Sequence, residues 1–148
     1  MKIDGQCHCG AIRYEAEIDP DWVSICHCTD CQTLTGSPYR VTVFARRENV
    51  HLSGAPKRYV KTAESGRKRF QYFCPDCGTP IYVTGEGEGA ESFGLRWGAI
   101  RQRALLSAQA RHLVPLGDAM ARWPGRSAGS SERLTGKNFR PFCHNRVP

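Results

Sequence analysis

The sequence predicts a mainly β domain of short antiparallel strands, and three observations predict it. Apolar and charged residues alternate in short runs, most plainly Ile12, Tyr14, Ala16 and Ile18 against Arg13, Glu15 and Glu17. That period of two marks a half-buried strand. Turn-forming clusters punctuate the runs, among them Asp19-Pro20-Asp21, Gly36-Ser37-Pro38 and Ser53-Gly54-Ala55-Pro56. Almost no segment before residue 100 sustains the period of a helix.

Taken in order, the run Gly10 to Ile18 is the first strand. Val23 to Ile25 makes a second, delivering Cys26. Thr29 to Thr35 suits a helical turn stopped by Gly36-Ser37-Pro38. Tyr39 to Ala45 is rich in β-formers, and after a polar corner at Arg46 to Asn49 come short strands at Val50 to Leu52 and Arg58 to Thr62. Ser65-Gly66-Arg67-Lys68 is a hairpin turn. Arg69 to Phe73 then runs into Cys74-Pro75-Asp76-Cys77-Gly78, and Ile81 to Thr84 leaves it, so this knuckle joins two strands as in a zinc ribbon. Gly85 to Gly89 is a loop, and Ser92 to Ile100 is a last apolar strand.

A length of 148 residues suits one domain with a modest core. Met1 to Glu17 carries charges throughout, unlike a signal peptide. No stretch approaches the roughly 20 apolar residues of a membrane span. The expectation is therefore a cytoplasmic protein without a membrane partner. Eight cysteines in such a chain point to metal ligation. A disulfide-knotted secreted domain is the weaker reading, since the neighbours of a C-x-C pair must each find separate partners.

The net charge of +7 is unevenly spread. Residues 1–100 hold twelve Lys and Arg against twelve Asp and Glu, whereas residues 101–148 hold nine against two. The cysteine-bearing part is thus neutral and has no built-in pull on phosphate backbones, which argues against nucleic acid as its partner.

Seven of the eight cysteines fall in three groups: Cys7 and Cys9; Cys26, Cys28 and Cys31; Cys74 and Cys77. Thiolates at this density favour zinc. The knuckle Cys74/Cys77 turns backbone N–H groups toward its sulfurs and needs two more ligands, which Cys7 and Cys9 can supply. Four ligands close a structural Zn2+ site. Three, at Cys26, Cys28 and Cys31, leave an open position of the kind catalysis requires. The triplet would be structural instead if His27, Cys143 or His144 closed it. His27 and Asp30 are the nearest candidates for a catalytic acid or base.

Gly5-Gln6-Cys7-His8-Cys9-Gly10-Ala11-Ile12-Arg13-Tyr14-Glu15, Cys26-His27-Cys28-Thr29-Asp30-Cys31-Gln32, Thr35-Gly36-Ser37 and Phe73-Cys74-Pro75-Asp76-Cys77-Gly78 resemble the glutathione-dependent formaldehyde-activating enzyme family, which includes the centromere protein V relatives. The similarity runs from about Gly5 to Arg103. It implies a β-tent fold, a structural zinc at Cys7, Cys9, Cys74 and Cys77, and a catalytic zinc at Cys26, Cys28 and Cys31. The implied reaction is carbon–sulfur lyase chemistry, the reversible addition of the glutathione thiol to formaldehyde to give S-hydroxymethylglutathione.

The C-terminus departs from that family. Members continue with Trp-x-Arg-Ser and a Pro-Trp pair on a closing strand, whereas this chain reads Arg111-His112-Leu113-Val114-Pro115-Leu116-Gly117-Asp118-Ala119-Met120-Ala121-Arg122-Trp123. Codons for that run, read one nucleotide later, can spell Asp-Ile-Trp-Cys-Arg-Ser-Ala-Met-Pro-Trp. The expectation is a zinc-binding β-tent over residues 1–107 and a basic, frame-shifted, poorly ordered tail over 108–148. A competing function follows from the same tail: a non-catalytic zinc module contacting nucleic acid or an acidic partner through its basic residues.

Overall fold

The computed structural model describes residues 1–63 and 66–106, together with the backbone of 110–112. It holds two sheets and one short helix. Strands β1 (Lys2–Gln6), β2 (Arg13–Glu17) and β5 (Val50–Ser53) form a three-stranded antiparallel sheet in the order β1-β2-β5. The larger sheet takes β3 (Val23–Cys26), β4 (Arg40–Arg46), β6 (Lys57–Thr62), β7 (Lys68–Phe73), β8 (Pro80–Gly85), β9 (Ser92–Arg96) and β10 (Ala110–His112). Their order is β10-β3-β4-β9-β8-β7-β6. Neighbours are antiparallel except β10, which lies parallel to β3. Helix α1 (Thr29–Thr35) follows β3 directly. Among the described residues no helix is long and apolar enough to cross a membrane.

Side-chain alternation sorts the large sheet into two chemically different faces. Partners in a ladder point the same way. Through the pairs Val23↔Val43, Val43↔Leu95 and Leu95↔Tyr82, one face is apolar. These residues join Ile3, Tyr14, Ala16 and Ile100 in one core, where the small sheet covers the large one. The opposite face runs through Cys26↔Arg40, Thr42↔Arg96, Gly94↔Val83, Val83↔Gln71 and Gln71↔Tyr59. It is polar and basic, and it carries the middle cysteine group.

On that polar face the side chains of Thr42 and Val83 close over Gly94. A Cβ there would sit 2.7 Å from Thr42 Cγ2 and 2.8 Å from Val83 Cγ1. Both atoms belong to β-branched side chains that cannot swing away freely. Gly94→Ala should therefore destabilise the protein by about 2 kcal/mol, the usual scale of overpacking, read as a lower urea midpoint. An unchanged midpoint would show that the packing over Gly94 can relax.

The mainly β expectation is met, and α1 spans Thr29–Thr35 as the sequence indicated, closed by Gly36 at φ +61°. Three details differ. The strand expected from Gly10 begins at Arg13, because Cys7 to Ile12 is a tight loop in which Cys7 N donates to Ile12 O at 2.9 Å. The apolar run after Ser92 stays extended only to Arg96. A 3₁₀ turn at Trp97–Ala99 then drops Ile100 into the core.

Strand β1 was not expected at all. Its one large apolar residue is Ile3, and Asp and Gly are poor strand formers. Long-range partners hold it instead: Arg101 N donates to Asp4 O at 2.9 Å, and Asp4 N donates to Gln102 Oε1 at 3.0 Å. Of the segment 108–148, the strand Ala110–His112 is described; the rest of the expected tail, with Cys143 and His144, lies outside the described residues. So do Glu64 and Ser65 of the expected hairpin turn, whose Gly66 has φ +77°.

Candidate active site

The first and third cysteine groups come together although 65 residues separate Cys9 from Cys74. Their sulfurs lie 3.6 Å apart, and Cys7 Sγ is 3.4 Å from Cys9 Sγ. The sulfurs of Cys7, Cys9, Cys74 and Cys77 all lie within 4.8 Å of one another. Tetrahedral thiolates at the usual zinc–sulfur length stand about 3.8 Å apart, so the set matches such a cage in spacing.

The surrounding backbone already favours sulfur anions. Ile12 N donates to Cys7 Sγ at 3.2 Å. Gly78 N donates to Cys74 O at 3.0 Å, forming the knuckle, and Cys77 Sγ lies 3.1 Å from Thr79 Oγ1. The Thr79 hydroxyl, then its backbone N–H and that of Cys9, bring the Cys77 thiol down to about 5. Cys9 goes the other way. The Ala11 N–H favours its thiolate, but the Cys7 and Cys77 sulfurs outweigh it, and Cys9 rises to about 12. Crowded sulfurs thus resist sharing negative charge, and a cation among them removes the conflict. The four residues fit a metal ion.

Cys26, Cys28 and Cys31 form a second group, with sulfurs also within 4.8 Å of one another and all three residues buried. Two local structures place them. Strand β3 ends at Cys26 on the polar face, and α1 begins at Thr29 with Cys28 as its N-cap. Cys28 Sγ accepts from Cys31 N at 3.4 Å and lies 3.4 Å from Cys26 Sγ. A C-x-C run at a strand end followed by a helical turn is what folds three nearby thiols inward. Of the first set, Cys7 and Cys74 are part of the main core, Cys77 packs against it and Cys9 is exposed, whereas these three make a small cluster of their own.

His27 and Asp30 flank the triplet. The His27 ring packs against Tyr39, centroids 5.6 Å apart and tilted by 52°, and among the described residues it does not join the three sulfurs. Asp30, in the first turn of α1, forms an ion pair with Lys61 of β6. Sequence reasoning missed Lys61, because nothing local links it to a residue 31 positions earlier. It also missed Arg40, the ladder partner of Cys26. Pairing the strand that delivers Cys26 with the β-rich run after Pro38 would have found it.

A two-sheet β protein carrying one four-sulfur set at the border of its core and one three-sulfur cluster on a basic face has two cysteine groups that could each hold a metal ion. The chain belongs to the glutathione-dependent formaldehyde-activating enzyme family, whose description matches residues 2–114. An uncharacterized lyase of Schizosaccharomyces pombe is 29% identical over 81 residues, covering 55% of this chain and 56% of that protein. A Halomonas elongata protein, named provisionally as a glutathione-dependent formaldehyde-activating enzyme, is 28% identical over 90 residues, 56% of each. The matches thus span about half the length of these curated relatives. A crystal structure of a Rhodobacter sphaeroides protein shares the fold, with a TM-score of 0.57 at 20% identity, over 74% of this chain and 99% of that one.

Proposed function

We propose that the protein is a zinc-dependent carbon–sulfur lyase acting on a thiol adduct such as S-hydroxymethylglutathione. The observation that carries this reading is the group of three converging thiols at the edge of a polar, basic sheet face. Family membership and the names of the relatives, one a lyase, support the reaction class. In this reading Cys7, Cys9, Cys74 and Cys77 hold a structural zinc, and Cys26, Cys28 and Cys31 hold a catalytic one. When bound at the triplet, zinc supplies a Lewis acid that favours the ionised form of an incoming thiol.

The chain's own residues then manage protons and position. In the forward direction the thiol S–H proton is lost, a carbon–sulfur bond forms to formaldehyde, and the carbonyl oxygen gains a proton. We assign that proton transfer to His27 and Asp30, which stand between the three cysteines in the sequence. Tyr39 supports the His27 ring, and the Lys61 ammonium fixes the Asp30 carboxylate against the start of α1. General acid–base help of this kind contributes about 10²–10⁴-fold.

The test is the rate of S-hydroxymethylglutathione formation and breakdown, followed by NMR exchange between glutathione and formaldehyde. His27→Gln or Asp30→Asn should slow exchange by about 10²-fold or more while leaving metal content at two per chain. If both variants exchange at the native rate, neither residue is the acid or base. If the native protein does not accelerate exchange at all, the lyase reading falls.

A further inference from the structure

Strand β6 ends the seven-stranded sheet, and among the described residues it pairs with β7 alone. The other side of its main chain therefore offers N–H and C=O groups as a template for a further strand. Edge strands are usually defended by shortness, proline, a bulge or charge. This one is six residues long, contains no proline, and follows β7 without a shift from Lys57↔Phe73 to Thr62↔Lys68. Only charge remains, in Lys57, Arg58 and Lys61.

What those charges surround is apolar. Tyr59 is 51% exposed and Val60 41%, and the other exposed large hydrophobics among the described residues, Met1 and Leu105, lie far from them in the chain. Tyr59 shares a face with Lys57. Val60 shares the opposite face with Arg58, whose guanidinium lies 5.2 Å from the Phe70 ring centre. The ion pair of Lys61 with Asp30 anchors one end of the strand on α1, while Lys57 and Arg58 stay exposed at the other. The neutrality of residues 1–100 hides this patch. The hairpin 57–73 alone holds six Lys and Arg against one acidic residue, Glu64.

We propose that β6 is a docking edge for an extended acidic segment of a partner protein, which adds to the sheet as a further strand. The segment's main chain takes up the free groups of β6, and its side chains meet those of β6 in register pairs. That register sets a pattern. Two β-branched apolar residues face Val60 and Tyr59, and two acidic residues face Arg58 and Lys57, in that order along an antiparallel strand. Aromatic–β-branched and opposite-charge pairs of this kind are favourable. The same charges disfavour a second copy of the chain, because pairing β6 with β6 brings Lys57, Arg58 and Lys61 of both copies onto one seam. A nucleic acid would satisfy the cations but leave the main chain of β6 unused. The proposal goes beyond the lyase reading and does not depend on it.

The test measures the full chain against a fluorescein-labelled peptide, Thr-Val-Val-Glu-Glu-Thr, by fluorescence anisotropy. Saturable binding is expected, and the same peptide with lysines for glutamates should bind about 10-fold more weakly. N-methylation of alternate peptide amides should remove binding, since strand addition needs the main chain. The double variant Lys57→Glu/Arg58→Glu should reverse the preference, taking the lysine peptide about 10-fold better than the acidic one. Both side chains are exposed, so its melting should stay native. Tyr59→Ser with Val60→Thr keeps the charges and should still weaken the acidic peptide about 10-fold.

No binding of the acidic peptide, or equal binding of its N-methylated form, overturns the docking edge. So does an unreversed preference in the charge-swapped variant, which would move the attraction to the basic residues 101–148. Tighter binding of oligothymidylate than of the peptide, lost in the charge-swapped variant, would make the edge a nucleic-acid surface instead. Self-association lost in that variant would make the occupant a second copy. Either result overturns the proposal as well.

Discussion

Cys77→Ser protein is expected to be largely unfolded and poorly soluble, with far-UV circular dichroism lost at temperatures where the native chain is intact. Cys7 and Cys74 are fully buried within the main apolar cluster, and Cys77 packs against it. Their cage ties the loop before β2 to the knuckle between β7 and β8. Structural zinc in a site of this type contributes on the order of 10 kcal/mol to folding, comparable to the whole net stability of a domain this size. Cys77 is also a ligand whose thiol the Thr79 hydroxyl and backbone N–H bring down to about 5, so the change removes a readily ionised sulfur. Chelation should reproduce the effect in the native chain. A Cys77→Ser protein with native melting would refute the assignment of this set as the structural centre.

Cys28→Ser should behave in the opposite way: one metal lost per chain, adduct exchange lost, fold retained. Serine is the better residue for isolating ligation here, because it is itself a preferred N-cap. It can accept from Cys31 N as Cys28 does now, so α1 keeps its start. Second-sphere changes alone typically lower metal affinity or activity 10–100-fold. Removal of a direct ligand should exceed that. Melting should stay within a few degrees of native, since the triplet forms its own cluster outside the main core. Elemental analysis and melting on the same sample decide the matter. Loss of both metals together would show the two groups to be coupled.

Most individual strands and the grouping of the cysteines were legible in the sequence because their signals are local, whereas the pairing of the strands was not. Alternation marked β2, the turn residues after Thr35 marked the end of α1, and the C-x-C, C-x-x-C and knuckle spacings grouped the thiols. What was hidden depends on contacts between distant segments. Strand β1 carries little apolar signal and is held by Ile100, Arg101 and Gln102. Lys61 reaches Asp30 only after β6 is in place at the sheet edge. Arg40 and Arg96 look like ordinary strand charges until the register shows them sharing a face, where both donate to Gln71 Oε1.

The unequal sequence spans of the two cysteine groups set an order of assembly. The triplet lies within six consecutive residues, so an unfolded chain can gather it almost at once. The four-sulfur set cannot form until Cys9 meets Cys74, 65 positions away. Closing a loop about 13 times longer carries an extra entropic penalty of roughly 2 kcal/mol, and long-range closures are slow steps in folding. A nascent or refolding chain should therefore take up its first ion at Cys26, Cys28 and Cys31, and its second only as the sheets dock. Stopped-flow refolding with a chromophoric zinc chelator should show two phases, the slower one rising together with the signal of tertiary structure.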